Sequence, residues 1–282
     1  MGSPIFARSD VFGEKANASG RAPAGAQGQQ AQYGQQQYGA GYAATDAATL
    51  NTMYSSPSAT TADTGRLTYD DVIVKTGGLL ALLVAVGAVS WVMLPPALTF
   101  VGAIVGLVLG LVNAFKREPS PALIVAYTVA QGVFLGGISK VFEAQWSGIV
   151  LQAVLATVCT FAACLWLFRS GRVRVTPRFT RWLLFAMVGY LVFSLVNVVM
   201  MFAGVGDGGF GPLREGPLGI AVGLIAVGLA SASLIVDFDA IQRGVRNGVP
   251  KKYAWSAAFG LMVTLIWLYL EFLRLLAILR GE

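Results

Sequence analysis

Asp237, Asp239 and Glu271 are the residues whose type and setting point most directly to chemistry. The two aspartates lie in LIVDFDAIQRGV (residues 234–245), and the glutamate lies in WLYLEFLRLLAILR (residues 267–280). Each run belongs to an apolar stretch near the ~20 residues that cross a bilayer as a helix. A charge near mid-membrane costs about 2.5–3.5 kcal/mol on insertion scales, so such a side chain normally faces a partner or a water-filled path. Glu271 lies roughly 12 Å before the end of its run, too deep for a short side chain to snorkel easily. On a helix Asp237 and Asp239 point about 200° apart, so at most one faces a bundle interior. Two arrangements stay open. In the first, the acids form pairs within their own helices, Asp239 with Arg243 at i+4 and Glu271 with Arg274 at i+3, and Asp237 sits near an interface. In the second, Glu271 meets Asp239 or Asp237 across two helices. Two close carboxylates cannot both ionise cheaply. Such a pair would share a proton, bind a hard cation such as Ca²⁺, or exchange one for the other with pH.

Other chemistries find little support. The chain has no histidine, which removes His-based triads, HExxH zinc sites and histidine proton shuttles. Cys159 and Cys164 would lie about 140° apart on one helix and cannot pair with each other. Gly204-Val205-Gly206-Asp207 matches the GxGD pattern of intramembrane aspartyl proteases. It falls in a glycine-rich loop, however, with no second acid placed to share its proton. No Walker lysine, dinucleotide fingerprint or nucleophile elbow is present. Ser139 has no base nearby. The chain therefore reads as a non-enzyme without a cofactor or an assigned metal site. No basic face suits nucleic acid.

The elements that must hold the three acids follow from composition. Only 12% of the 282 residues are charged and 56% are hydrophobic, against about 25% charged in a soluble domain. Mean hydropathy is +0.67. The lipid bilayer is thus the expected surroundings. Residues 1–66 form a polar tail rich in Gln, Gly, Ala and Tyr, with too few large apolar residues to offset ordering entropy. The N-terminus has no apolar core for a signal peptide, and Phe6 breaks the myristoylation pattern. Residues 67–282 read as a domain of seven transmembrane helices, at about 72–94, 97–115, 120–142, 148–168, 180–204, 217–242 and 254–280. Pro95-Pro96 separates the first two, because proline interrupts helical hydrogen bonding.

Basic residues alternate between the loops. They gather in the tail, after the second span (Lys116, Arg117), after the fourth (Arg169, Arg172, Arg174, Arg178, Arg181) and after the sixth (Arg243, Arg246, Lys251, Lys252). The positive-inside rule then predicts an N-terminus in the cytoplasm and, with seven spans, a C-terminus outside; the plasma membrane is the expected location. Trp91, Trp146, Trp166, Trp182 and Trp255 fall near the expected boundaries, whereas Trp267 lies inside its span and is expected to pack. Gly102, Gly106 and Gly110 share one helix face, as do Gly219 and Gly223. Small residues at that spacing let helices approach closely.

Several of these stretches are similar to the Bax inhibitor-1 family of membrane proteins, also called YccA-like or transmembrane Bax-inhibitor-motif proteins. Phe238-Asp239-Ala240-Ile241-Gln242 resembles the family's aromatic-Asp motif late in the sixth span. Leu268-Tyr269-Leu270-Glu271-Phe272 resembles the acidic motif of its last span. EPSPALIVAYTVAQGVFLGGIS, leading into and through the third span, also looks like that family. The resemblance covers about 70–282 and leaves the tail outside. It implies an all-α fold with six helices packed around a central C-terminal seventh. It also implies a pH-sensitive Ca²⁺ leak in which Asp239 and Glu271 form the proton-sensing pair. Some relatives instead restrain a membrane-bound protease, so a membrane protease or another membrane protein is the alternative partner. The second acid here is Glu where the family has Asp, and the separation of the two acids is longer than usual. About a hairpin turning near residue 251, the acids are offset by ~12 Å of helix rise. Contact between them would require an asymmetric loop, a strong tilt, or a break in the last span near Gly260.

Overall fold

The structure, a computed structural model, describes residues 65–173, 175–205 and 211–281. Most of the expected tail (1–64), Arg174 and the Asp207 of the GxGD match lie outside the described residues. Among the described residues the long elements are seven α-helices: α1 Tyr69–Met93, α2 Ala97–Phe115, α3 Pro121–Gln145, α4 Ile149–Arg169, α5 Pro177–Phe202, α6 Gly216–Arg246 and α7 Ala254–Gly281. Each is long and apolar enough to span a membrane. One helix corresponds to each expected span.

Local signals set the ends. Thr68 caps α1: its hydroxyl accepts from the Asp71 amide at 3.1 Å, and the Asp71 carboxylate accepts from the Thr68 amide at 3.3 Å. This reciprocal arrangement satisfies two donors that a helix start leaves orphaned. Helices α3, α5 and α6 carry proline in their first turn, where its missing N–H costs nothing. The Glu143 carboxylate accepts from the amides of Gly148 (2.6 Å) and Val150 (3.1 Å) and so caps α4 from the preceding helix. Pro95 and Pro96 lie in the break between α1 and α2, as their chemistry predicts.

Helix α7 is the most buried span and sits at the centre. It packs directly on α1, α3, α4 and α6; α2 joins the bundle through α3, and α5 joins through α6. Ala254, Ala257, Leu261 and Leu265 of α7 share one core cluster with Leu234, Phe238 and Ala240 of α6, while Phe259, Met262 and Ile266 share another with Leu79 and Leu83 of α1 and Tyr127 of α3. The close approach expected at Gly102 is present, and a further one occurs at Gly136. A Cβ on Gly102 would lie 2.9 Å from the Ala130 carbonyl oxygen of α3, and one on Gly136 would lie 2.2 Å from the Gly87 carbonyl oxygen of α1. Only a missing side chain permits either contact.

The turn between α6 and α7 is pinned by the segment that leads into α1. The Leu67 amide donates to Val249 at 2.7 Å, the Lys251 amide donates to Gly65 at 2.8 Å, and Lys251 pairs with Asp71 at 3.0 Å. The hairpin that carries all three acids is thereby fixed at its closed end.

Candidate functional site

The two aspartates of α6 part company as helix geometry requires. Asp237 is fully buried. Its Oδ2 accepts from the Thr264 hydroxyl of α7 at 2.9 Å, and its Oδ1 has no hydrogen-bond partner. Asp239 turns toward the bundle edge and forms an ion pair with Arg243 one turn along. Asp237 thus lies in the core of the bundle against α7.

The Asp237–Thr264 bond also fixes the register of the hairpin. Counting outward from it along two antiparallel helices, Asp239 stands opposite about residue 262 of α7. Glu271 stands opposite about residue 230 of α6, so the two acids are offset by roughly 13 Å of helix rise. Neither is a partner of the other. Helix α7 runs unbroken through Gly260, so the break that would have brought them together does not occur. The sensing pair implied by the resemblance is not assembled here.

Glu271 has other company. It is only 4% exposed, and its carboxylate is reached from two helices. From α7 itself, Trp267 Nε1 donates to Oε1 at 3.2 Å, Arg274 Nη1 donates to the same oxygen at 3.3 Å, and Arg274 Nη2 pairs with Oε2. From α5, the Tyr190 hydroxyl donates to Oε1. Tyr190 in turn accepts from Arg214 Nη2 at 2.9 Å, and Arg214 also donates to the Ser194 hydroxyl. The Arg214 guanidinium lies 5.2 Å from the Tyr190 ring centre and 5.9 Å from that of Phe193. The Tyr190 and Trp267 rings meet at 5.6 Å.

Arg214 precedes α6 and enters the cluster because the chain there is tethered to α5. The Asn197 side-chain oxygen accepts from the Leu213 amide at 3.0 Å. Tyr190, Ser194 and Asn197 recur at i, i+4 and i+7, which forms a polar stripe on an otherwise apolar helix. The result is a chain of charge-assisted hydrogen bonds running Arg214, Tyr190, Glu271, Arg274. One guanidinium, Arg274, pairs with the carboxylate directly, and a second, Arg214, reaches it only through the Tyr190 hydroxyl. Such an arrangement holds an anion in place and locks α5 against α7; it is not a cation cage. Among the described residues no three His, Cys, Asp or Glu side chains converge as a metal site.

Both intrahelical pairs expected from the spacing are present, Asp239–Arg243 and Glu271–Arg274. Glu271 has an interhelical partner as well. Tyr190, Arg214 and Thr264 were not singled out from the sequence, and Trp267 was assigned only to packing. The stripe on α5 and the i, i+4 spacing of Trp267 and Glu271 were the available signals.

Seven apolar helices around a buried acid on the last of them define a multi-pass membrane protein. The family described as Bax inhibitor 1 like matches residues 3–281, and the chain belongs to that family. The match takes in the tail that the motif resemblance left outside. No curated protein gives a match.

Proposed function

We propose that this protein is a pH-modulated calcium leak pathway of the plasma membrane, non-enzymatic, with its N-terminus in the cytoplasm and its C-terminus outside. The observation that carries this reading is the interhelical tether on Glu271: a carboxylate deep in the central helix, bonded to Tyr190 of α5. Protonating that carboxylate would remove the charge that draws in both Tyr190 and Arg274, and so would loosen α5 from α7. A gate requires two discrete arrangements, and the second one proposed here is that in which Tyr190 has let go of Glu271. Asp237 and Asp239 lie farther along the same hairpin, but the first is enclosed against Thr264 and the second is paired with Arg243, so neither is assigned a Ca²⁺ contact. Glu271 replaces the Asp239–Glu271 pair as the proposed sensor.

Ca²⁺ flux into liposomes carrying oriented protein tests this reading across pH 5 to 8. The wild type should conduct in a pH-dependent manner, and Glu271→Gln should flatten that dependence. Flux with unaltered pH dependence in the variant would remove the sensor role. No flux at any pH in the wild type would remove the channel. The alternative is a non-conducting regulator bound to a membrane protease or other membrane partner, for which the glycine faces would be the natural contact surface. Those faces are used within the chain: Gly102 and Gly106 against α3, and Gly223 against Leu275 of α7.

A further inference from the structure

The bundle is not closed on every side. Helices α1 and α4 stand apart, and between them runs a groove of about 650 Å³. Its walls carry exposed side chains, Val84 and Ala88 on α1 and Val154 and Val158 on α4, while its floor is buried Leu265 and Ile266 of α7. The volume lies within the range of small-molecule sites, about 300–1,000 Å³.

What fills it follows from three features. The first is polarity. The hydroxyls bordering the groove are already engaged, Ser139 with Tyr269 at 2.6 Å and Thr157 with the Ala153 carbonyl at 2.7 Å. Water would need two to four polar partners and finds none free among these. The second is depth. The groove begins at Val92 and Val150, beside the ends of α1 and α4, and runs inward to Leu80 and Phe161. That is about 18 Å of helix rise, close to the ~15 Å of one leaflet's hydrocarbon. The third is width. Spread over that length, the volume describes a long, thin channel that matches the shape of a hydrocarbon chain.

We propose that this groove binds one acyl chain of a bilayer phospholipid, drawn from the leaflet at the α3–α4 turn and laid between α1 and α4 across Leu265, Ile266 and Tyr269 of α7. The chain fills the gap between α1 and α4 above the buried floor of α7. This inference needs only the membrane fold and stands apart from the calcium reading.

The test uses full-length protein in vesicles of phosphatidylethanolamine and phosphatidylglycerol with a trace of phosphatidylethanolamine bearing a mid-chain diazirine. After illumination, labelled residues are mapped by mass spectrometry. Val84, Ala88, Val154 and Val158 should carry at least fivefold more label than the lipid-facing α5 residues Phe185 and Leu191. Excess unlabelled phospholipid should saturate the groove signal and not the α5 signal. Ala88→Trp, which fills the groove from its open side, should bring groove label down to the α5 level, and Val154→Trp should do so from the facing wall. Equal labelling of groove and α5 in the wild type would overturn the proposal, as would an empty groove beside a labelled α5. So would groove label that survives both substitutions. The wild-type ratio decides by itself if a variant fails to insert.

Discussion

The α6–α7 hairpin buries two acids in two different ways. Asp237 is fully enclosed, receives one neutral hydroxyl from Thr264 and has no cation beside it. Glu271, farther along the same pair of helices, receives an indole, a phenol and a guanidinium, and a second guanidinium stands behind the phenol. The residue types are nearly the same and the depth of burial is similar. What differs is how many elements contribute. Asp237 is served by its immediate neighbour in the hairpin, whereas Glu271 draws on α5, on α7 and on the segment before α6. A carboxylate with a single short neighbour can change state with little movement of the backbone. One that ties three elements together cannot, which is why the proposed switch is placed at Glu271.

The comparison can be broken by substitution. Glu271→Gln should have the largest effect. It leaves Arg274 buried without its counter-charge, which typically costs about 3–5 kcal/mol, read as lost unfolding free energy in mixed detergent micelles. Tyr190→Phe comes next. It keeps the ring against Trp267 and removes the hydroxyl that both Glu271 and Arg214 use, so a loss of about 1–3 kcal/mol is expected from the same measurement. Asp237→Asn should be the mildest. The amide still offers an oxygen to Thr264, and no buried cation is abandoned, so the change should stay near 1 kcal/mol or less. If Asp237→Asn proved as costly as Glu271→Gln, the two acids would not differ as described, and Asp237 would have to engage a charged partner. If Tyr190→Phe were silent, α5 would not be tethered through Glu271.

Much of this architecture was legible in the residues. The seven spans followed from apolar runs, with Pro95-Pro96 separating the first two, and their ends fell within a few residues of the helix ends. The two intrahelical ion pairs followed from i, i+3 and i, i+4 spacing. The opposite facing of Asp237 and Asp239 followed from the 100° step of a helix. The offset of Asp239 from Glu271 was also visible as a count of residues on either side of the turn, and the unbroken path of α7 through Gly260 left that offset standing.

The site around Glu271 was legible only in part, because its members are far apart in the chain. Tyr190 and Ser194 looked like ordinary polar interruptions of an apolar helix, and Arg214 looked like a lone basic residue in a loop. Nothing local states that α5 lies against α6 at the height of Glu271, or that Asn197 holds Leu213 so that Arg214 turns inward. The groove between α1 and α4 is of the same kind, since it exists only because two helices that could have met are held apart by how each packs on α7.

The sequence by itself determined that this chain is a seven-helix membrane protein with acids sunk in its last hairpin. Hydropathy, helix period and capping act over a few residues, and one charge in lipid is costly wherever it occurs. The tertiary structure alone decided which groups answer those acids. Partner choice depends on the rotation and height of whole helices relative to one another, and these are set by close contacts such as Gly136 on Gly87 and by the clamp of residues 65–67 on the α6–α7 turn.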